Sequence, residues 1–206
     1  RTERGQALLA RLGPRGYFAA GERSLRAAAD TVTPQGVVAA LPLPDASPRV
    51  VDWGTALLLD GIADPGNLGT ILRTAEAAGA RPVLLAPGTA DPFAPKVVRA
   101  GMGAHVRLPL LSVDWPELAP QLMGRRVWLA EAGGGTPYYA VDWRQPSVLV
   151  VGGEANGPSS RARQLATGTV TIPMQGPTES LNAAIAAAVV LFEALRQRQT
   201  GDGPGP

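Results

Sequence analysis

From residue 56 onward, short apolar runs alternate with longer segments whose apolar residues recur at helical spacing. Short apolar runs between turn residues predict buried strands, and helical spacing predicts helices that pack on them. The predicted strands are 56–60, 82–86, 106–110, 126–130, 147–153 and 169–174. The predicted helices are 67–79, 94–101, 115–124, 158–166 and 180–199. This alternation favours an α/β domain with a parallel sheet covered on both faces.

The ends of the chain differ from this middle part. Residues 1–50 are rich in Arg, Ala and Pro, with a short helix predicted within 21–30 and a strand at 36–41. The Pro-rich stretch 41–50 is typical of a linker. We therefore divide the chain into an N-terminal segment (1–50), a main domain (51–200) and a flexible tail (201–206). The last helix of the main domain carries one apolar stripe, formed by Leu181, Ile185, Val189 and Phe192.

Composition excludes several kinds of site. The 206 residues include no Cys and a single His, His105, so a disulfide framework, a thiolate metal site and a cysteine nucleophile are excluded and no metal site is predicted. No apolar run approaches the roughly 18 residues that span a bilayer, so we expect a cytoplasmic protein. All 19 basic residues except Lys96 are Arg, but the net charge of only +2 is weak evidence for a nucleic-acid partner.

The segment "DPGNLGTILRTAEAAGA" (64–80) begins as a turn and continues as a helix. Asn67 is a candidate helix cap, and free backbone N–H groups at a helix start bind anions. Arg73 lies nearly two turns further on and could point to the same side. The alternative is an ordinary helix cap followed by a solvated Arg.

The segment "VVGGEANGPSS" (150–160) follows a buried strand. Gly152 and Gly153 would let a ligand approach the backbone, and Glu154 is the only acidic residue of the turn. Ligands of open α/β sheets bind beyond the carboxyl ends of the strands. The segment matches neither the dinucleotide fingerprint nor a phosphate-binding P-loop, and an ordinary strand-to-helix turn remains the alternative.

The segment "TIPMQGPTESLNAAIAAAVVLFEALRQR" (171–198) contains the end of a strand, a Gly-Pro loop and the last helix. Pro173 lacks a backbone donor, so the strand cannot continue its ladder normally there. Ser180 is the candidate helix cap, with Asn182 in the first turn. A cap alone would be enough to explain Ser180.

Together and in this order, the three segments closely resemble the three motifs of the SpoU (TrmH-like) RNA ribose 2′-O-methyltransferases of the SPOUT superfamily. The resemblance covers about residues 50–199. The intervening segment "PKVVRAGMGA" (95–104) also matches, with Gly101 where the family commonly has Ser.

The resemblance implies an α/β parallel-sheet fold with a C-terminal deep trefoil knot and a site for S-adenosylmethionine. It implies that the cofactor-binding residues are Gly152, Gly153, Ile172, Met174 and Leu181. The residues that it implies for catalysis are Arg73, Glu154, Ser180, Asn182 and Asn67.

The resemblance also implies an RNA partner and a homodimer in which Arg73 lies near the cofactor of the other subunit. The Ala-rich face of the last helix (183–188) suits close packing at such an interface, or equally on the helix's own sheet. Residues 1–50 resemble the end of the family's N-terminal RNA-binding domain and its linker.

Two other interpretations remain. The chain could be an RNA-binding module that has lost catalysis, although intact Arg73, Glu154, Ser180 and Asn182 disfavour this. It could also be a nucleotide-cofactor enzyme of Rossmann type, which the missing glycine fingerprint disfavours. The sequence does not distinguish tRNA from rRNA as the target, and it does not identify the nucleotide.

Overall fold

The structure is a computed structural model, and it describes residues 3–13, 16–29, 31, 33–44 and 53–201. The chain divides into two compact units, Arg1–Leu43 and Pro44–Pro206. The predicted tail at 202–206 and most of the predicted linker lie outside the described residues.

The first unit contains two helices, α1 (Glu3–Leu12) and α2 (Glu22–Ala28), and neither helix buries a residue. Helix α2 confirms the helix predicted within 21–30. The strand predicted at 36–41 is wrong, because these residues form no strand and Val37 and Val38 are exposed. β-Branched residues alone do not make a strand when no neighbouring strand pairs with them. Sequence reading missed α1.

The second unit is built on a parallel sheet of seven strands in the order β3-β2-β1-β6-β4-β7-β5. Every strand pair in this sheet is parallel, so the carboxyl ends of the strands share one edge. The strands are β1 (Thr55–Asp60), β2 (Val83–Leu85), β3 (Leu110–Ser112), β4 (Arg126–Ala130), β5 (Thr136–Pro137), β6 (Ser147–Gly152) and β7 (Gly168–Thr171).

Helices cover both faces of the sheet, because successive side chains of a strand point to opposite sides. In β1, Leu57 and Leu59 belong to a core shared with α3, α4 and α7, whereas Ala56 and Leu58 belong to a core shared with α5 and α6. The helices are α3 (Pro65–Ala77), α4 (Pro95–Gly101), α5 (Trp115–Leu122), α6 (Ser160–Leu165) and α7 (Ala183–Thr200). The predicted α/β architecture with two covered faces is confirmed.

Two details of the prediction are wrong. The third strand begins at Leu110 rather than 106, because Ala104–Val106 form a single 3-10 turn that buries Ala104 and His105. In addition, the sequence missed the short edge strand β5. No helix in the described part of the chain is long and apolar enough to cross a membrane.

The last helix, α7, buries three small residues in its first two turns, and Val190 and Leu191 further along. Ala183, Ala184 and Ala187 pack into the core of their own unit, which decides between the two packing roles that the sequence left open for these three. The predicted apolar stripe lies on the opposite side, where Ile185 and Phe192 are about half exposed. The small side chains let the start of the helix backbone pack closely, whereas Ile185 and Phe192 point away from the core.

Candidate active site at the carboxyl edge of the sheet

A cavity of about 450 Å³ opens beyond the carboxyl ends of β4, β6 and β7. This is the edge at which parallel α/β sheets bind ligands. The loops after these three strands and the start of α7 form its wall. Its lining includes Ala130, Glu131, Ala132, Gly152, Gly153, Glu154, Pro158, Ile172, Met174, Ser180, Leu181, Asn182 and Ala186.

Two glycines of the cavity wall, Gly152 and Gly153, are required by close approach between backbone segments. A Cβ on Gly152 would lie 2.2 Å from the Pro158 nitrogen, and a Cβ on Gly153 would lie 2.4 Å from the Gly61 carbonyl oxygen. Both positions therefore exclude any side chain. The sequence interpretation, that these glycines leave room for a ligand, is incomplete, because the space is taken by the chain itself.

The loop after β6 is anchored to the end of β1 by Asp60. Its buried carboxylate accepts a hydrogen bond from the Ser159 backbone N–H at 2.6 Å, and its carbonyl accepts one from Gly153 at 2.9 Å. The Ser159 hydroxyl in turn caps α6 by accepting from Ala162. Sequence reading missed this role of Asp60, because no local pattern shows a contact across 99 residues.

Three side chains from the three motif segments form one hydrogen-bonded chain. Asn182 Nδ2 donates to Asn67 Oδ1 at 3.0 Å, and Asn67 Nδ2 donates to Glu154 Oε1 at 2.6 Å. The structure thus brings together three residues that are far apart in the sequence and that the resemblance assigned to one site.

The direction of these hydrogen bonds is fixed by the start of α7. Asn182 Oδ1 accepts from the backbone N–H groups of Ala184 at 2.9 Å and Ile185 at 3.3 Å, so only its Nδ2 can face Asn67. Asn67 must then accept with Oδ1 and donate with Nδ2. Glu154 is the acceptor at the end of the chain.

The two helix caps differ from those predicted. Asp64 caps α3 by accepting from the Asn67 backbone N–H at 2.7 Å, and Pro65 is the first helical residue. Asn67 is therefore not the cap, and its side chain is free to reach Glu154. Likewise Asn182, not Ser180, caps α7, whereas Ser180 lines the cavity.

The apolar cofactor-binding candidates lie where the resemblance places them, around the cavity. Ile172 is half-buried and packs against the core that includes α7. Met174 and Leu181 line the cavity and are each 36% exposed, so they lie nearer to solvent.

Arg73 lies away from this group. It is exposed on α3, does not line the cavity, and makes no hydrogen bond or ion pair with any described residue. The structure of a single chain therefore does not bring Arg73 together with the other candidate residues.

Glu131, at the end of β4, lines the cavity but lies outside the three motif segments. Its carboxylate forms an ion pair with Arg163 of α6, with 2.5 Å between Oε1 and Nη1. Glu131 and Glu154 are the acidic residues that line the cavity, and no basic residue of the described chain lines it. Because Glu131 is paired with Arg163, the negative charge of Glu154 is the one that favours a positively charged ligand.

Comparison with known proteins extends these observations. The family model of the SpoU rRNA Methylase family matches residues 54–192. The chain is 34% identical to the Bacillus subtilis 23S rRNA (guanosine(2553)-2′-O)-methyltransferase RlmP, over 83% of this chain and 69% of that protein. It is 38% identical to a Streptomyces viridochromogenes 23S rRNA (uridine(2479)-2′-O)-methyltransferase, over 82% of this chain and 62% of that protein.

Solved structures agree with the sequence comparison. The SpoU methyltransferase AviRb from Streptomyces viridochromogenes, in complex with the cofactor AdoMet, matches with a TM-score of 0.67 and 36% identity, covering 75% of this chain and 61% of that one. A structure of an RNA 2′-O ribose methyltransferase matches with a TM-score of 0.74 and 32% identity, covering 86% of this chain and 70% of that one.

Proposed function

The chain belongs to the SpoU rRNA methylase family, and we propose that it transfers a methyl group from S-adenosylmethionine to the ribose 2′-hydroxyl of a nucleotide in tRNA or rRNA. The names of both relatives favour 23S rRNA. The observation that carries the proposal is the hydrogen-bonded chain Glu154–Asn67–Asn182 beside the cavity, because it unites all three motif segments at one place.

The cavity fits S-adenosylmethionine in size, surface and charge. Its volume of about 450 Å³ lies within the usual range for small-molecule sites. S-Adenosylmethionine carries a sulfonium and an ammonium group against one carboxylate, and the lining offers acidic but no basic side chains. Gly152, Gly153, Ile172, Met174 and Leu181 would hold the nucleoside between backbone and apolar walls. When bound, the cofactor supplies an electrophilic methyl group.

Arg73 is assigned to the substrate rather than to the cofactor. Its guanidinium stays protonated in proteins, so it cannot be the base that removes the 2′-hydroxyl proton. It can bind the target phosphate and stabilise negative charge that develops on the 2′-oxygen. A phosphate oxygen of the substrate is then the acceptor for the proton.

The other polar residues position the nucleotide. Glu154 is held by Asn67, which is held by Asn182, which is fixed by the backbone of α7. Such a connected chain keeps the carboxylate in one orientation, and precise orientation supplies much of the acceleration of a bimolecular reaction. Ser180, at the cavity wall, is placed to contact the same nucleotide.

A second copy of the chain would complete the site. Arg73 does not line the cavity of its own chain, and α7 exposes a stripe that includes Ile185 (53% exposed) and Phe192 (48% exposed). We infer a homodimer in which this stripe is buried and Arg73 reaches the cavity of the other subunit. A two-fold interface would complete both sites in the same way.

The remaining family features are part of the same proposal. The C-terminal segment around 150–200 forms the deep trefoil knot, although knots are very rare among proteins in general. The N-terminal segment 1–50 is the end of an RNA-binding domain with its linker, and the enzyme acts in the cytoplasm, where its RNA substrates are found.

The experiment is to measure cofactor affinity and methyl transfer separately in Arg73→Ala. With labelled S-adenosylmethionine and unmodified 23S rRNA and tRNA transcripts, transfer should fall by at least about 100-fold, since charge stabilisation is lost. The calorimetric affinity for S-adenosylmethionine should stay within about twofold, since Arg73 does not hold the cofactor.

Arg81→Ala is the matched control, because Arg81 is exposed and lies outside the site. Equal loss of affinity and transfer in Arg73→Ala would contradict the role given to Arg73. Cofactor binding without methyl transfer to any RNA by the unaltered protein would instead favour an RNA-binding module.

A further inference from the structure

Glu131 is the one charged side chain of the cavity wall that the methyl-transfer proposal leaves without a role. Its backbone N–H donates to the Val170 carbonyl at 3.0 Å, so the residue is fixed between the ends of β4 and β7. Its side chain is 24% exposed and lines the cavity. A carboxylate this enclosed needs a partner, and Arg163 provides one.

Arg163 is itself held in place by the site. It lies in α6, whose first turn is capped by Ser159, and the Ser159 backbone is bound by the buried carboxylate of Asp60. The ion pair between Glu131 and Arg163 therefore links the loop after β4 to the helix that follows the glycine loop. The contact holds the Glu131 carboxylate next to the guanidinium of Arg163.

We propose that Glu131 binds the ribose hydroxyl groups of the cofactor and that Arg163 is the positioning residue that holds its carboxylate. The inference rests on the proposed use of S-adenosylmethionine. Arg163 pairs with Oε1 of Glu131, and no described residue donates a hydrogen bond to Oε2. The Oε2 atom is therefore left to accept a hydrogen bond from a ligand. Elsewhere in α/β folds, an acidic residue beyond a strand accepts from the ribose of a bound nucleotide.

The charge of the ion pair indicates which part of the cofactor binds Glu131. It favours the neutral ribose over the ammonium group. The adjacent guanidinium neutralises the carboxylate, so the pair attracts a second cation weakly and still accepts hydrogen bonds from neutral hydroxyls. Glu154, which has no ion-pair partner among the described residues, is the acid better suited to the positive end of a ligand.

The test compares two ligands in two proteins by calorimetry. The ligands are S-adenosylhomocysteine and its 2′-deoxyribose analogue, and the proteins are the unaltered chain and Glu131→Ala. The unaltered chain should bind the ribose form about 10- to 100-fold more tightly, the usual effect of a hydrogen bond to a charged group. Glu131→Ala should lose this preference while binding the deoxy analogue almost as before.

Arg163 and a control complete the experiment. Arg163→Ala should weaken the ribose preference and Arg163→Lys should restore most of it, because lysine keeps the positive charge. Glu117→Ala, an exposed acid of α5 outside the cavity, should leave both affinities unchanged. Melting temperatures of all variants check that the fold is intact.

The outcomes separate the two proposals. If Glu131→Ala keeps the ribose preference, or loses affinity equally for both ligands, the ribose assignment is overturned and the proposed function stands. If the unaltered, folded chain binds neither S-adenosylmethionine nor S-adenosylhomocysteine, the proposed function itself is overturned, and the inference with it.

Discussion

The side chain of His105 restricts the residue type at position 101, four residues earlier, to Gly. A Cβ at this position would lie 2.4 Å from His105 Cε1 and 2.9 Å from its Nδ1. The imidazole is buried beside Phe93, with 6.0 Å between the ring centroids. Where the family commonly has Ser, this chain therefore has room for no side chain at all unless His105 moves.

Gly101→Ala should lower the free energy of unfolding by about 1–3 kcal/mol, because a methyl group is forced into a filled core. Urea denaturation followed by circular dichroism measures the change. In a His105→Ala background the same substitution should cost less than about 0.5 kcal/mol, since the space is then vacant. Gly176→Ala is the control, because nothing lies within 4 Å of its added Cβ. Equal costs in both backgrounds would contradict this explanation.

The burial of His105 makes the free energy of unfolding depend on pH. Neither ring nitrogen makes a hydrogen bond of normal geometry with the described residues. Burial lowers the pKa of the imidazole from its usual 6.5, and the nearby Pro92 carbonyl offsets part of that shift. The folded protein therefore keeps the neutral ring at a pH where the unfolded chain already binds a proton.

The free energy of unfolding should fall as the pH drops below about 6.5, by up to about 1.4 kcal/mol per pH unit until the folded pKa is reached. Above pH 6.5 both states are neutral and the contribution of His105 is constant. The chain has a single His, so His105→Leu should show a shallower loss between pH 7 and 5.5. Identical pH profiles for the two proteins would assign the effect to carboxylates instead.

At the scale of elements, the proposed function gives the side chain at the start of α7 a catalytic task besides its structural one. Asn182 Oδ1 caps the helix, and Asn182 Nδ2 continues the chain to Asn67. An Asp at this position can still cap, and its charge is favourable at a helix start. It cannot donate to Asn67, however, so the two tasks can be separated.

Asn182→Asp should leave the free energy of unfolding within about 0.5 kcal/mol of the original value. Methyl transfer should fall by at least about tenfold, because the orientation of Glu154 is lost. Asn182→Ala should lose transfer and also about 1 kcal/mol of stability, since the cap disappears. Full transfer activity in Asn182→Asp would show that the hydrogen-bonded chain is not needed for the reaction.

The caps also show what sequence reading can and cannot achieve for an element. The pattern correctly predicted helices near 67–79 and 180–199, and both hold residues of the site. It assigned the caps to Asn67 and Ser180, whereas Asp64 and Asn182 have them. Several neighbouring residues of each segment are able to cap, and which of them does so depends on contacts with other segments.

The buried face of α7 is a second feature that the sequence pattern did not predict. Large apolar residues usually mark the buried side of a helix, yet Ile185 and Phe192 are half exposed and Ala187 is buried. The predicted stripe therefore does not mark the side of α7 that is buried within its own unit. The sequence pattern alone does not tell which face has which neighbour.

At the scale of the whole molecule, the alternation of strands and helices was sufficient to predict a parallel sheet with two covered faces. It could not give the strand order, in which β6 lies between β1 and β4, because local patterns carry no information on which strands pair. Glu131 and Asp60 escaped notice for the same reason: their partners, Arg163 and Ser159, are distant in sequence.

The exposed apolar stripe of α7 can be tested as the interface of the proposed homodimer. Phe192→Asp should convert the proposed dimer to a monomer, because a charge without a partner is strongly unfavourable in a buried interface. Light scattering after size-exclusion chromatography measures the mass. Met123→Asp, at the end of α5, is the control, since Met123 is 81% exposed and should leave the mass unchanged. A Phe192→Asp protein with unchanged mass would exclude this stripe as the interface.

A mixing experiment tests whether Arg73 acts on the site of the other subunit. Arg73→Ala and Glu154→Ala homodimers should both be inactive, because each lacks one necessary group in both sites. After subunit exchange, half of the dimers contain one chain of each kind. If Arg73 serves the neighbouring site, one site of each mixed dimer is intact, and about a quarter of the original activity should return. If Arg73 acts within its own chain, every site still lacks a group and no activity returns, so the two arrangements give opposite results from the same proteins.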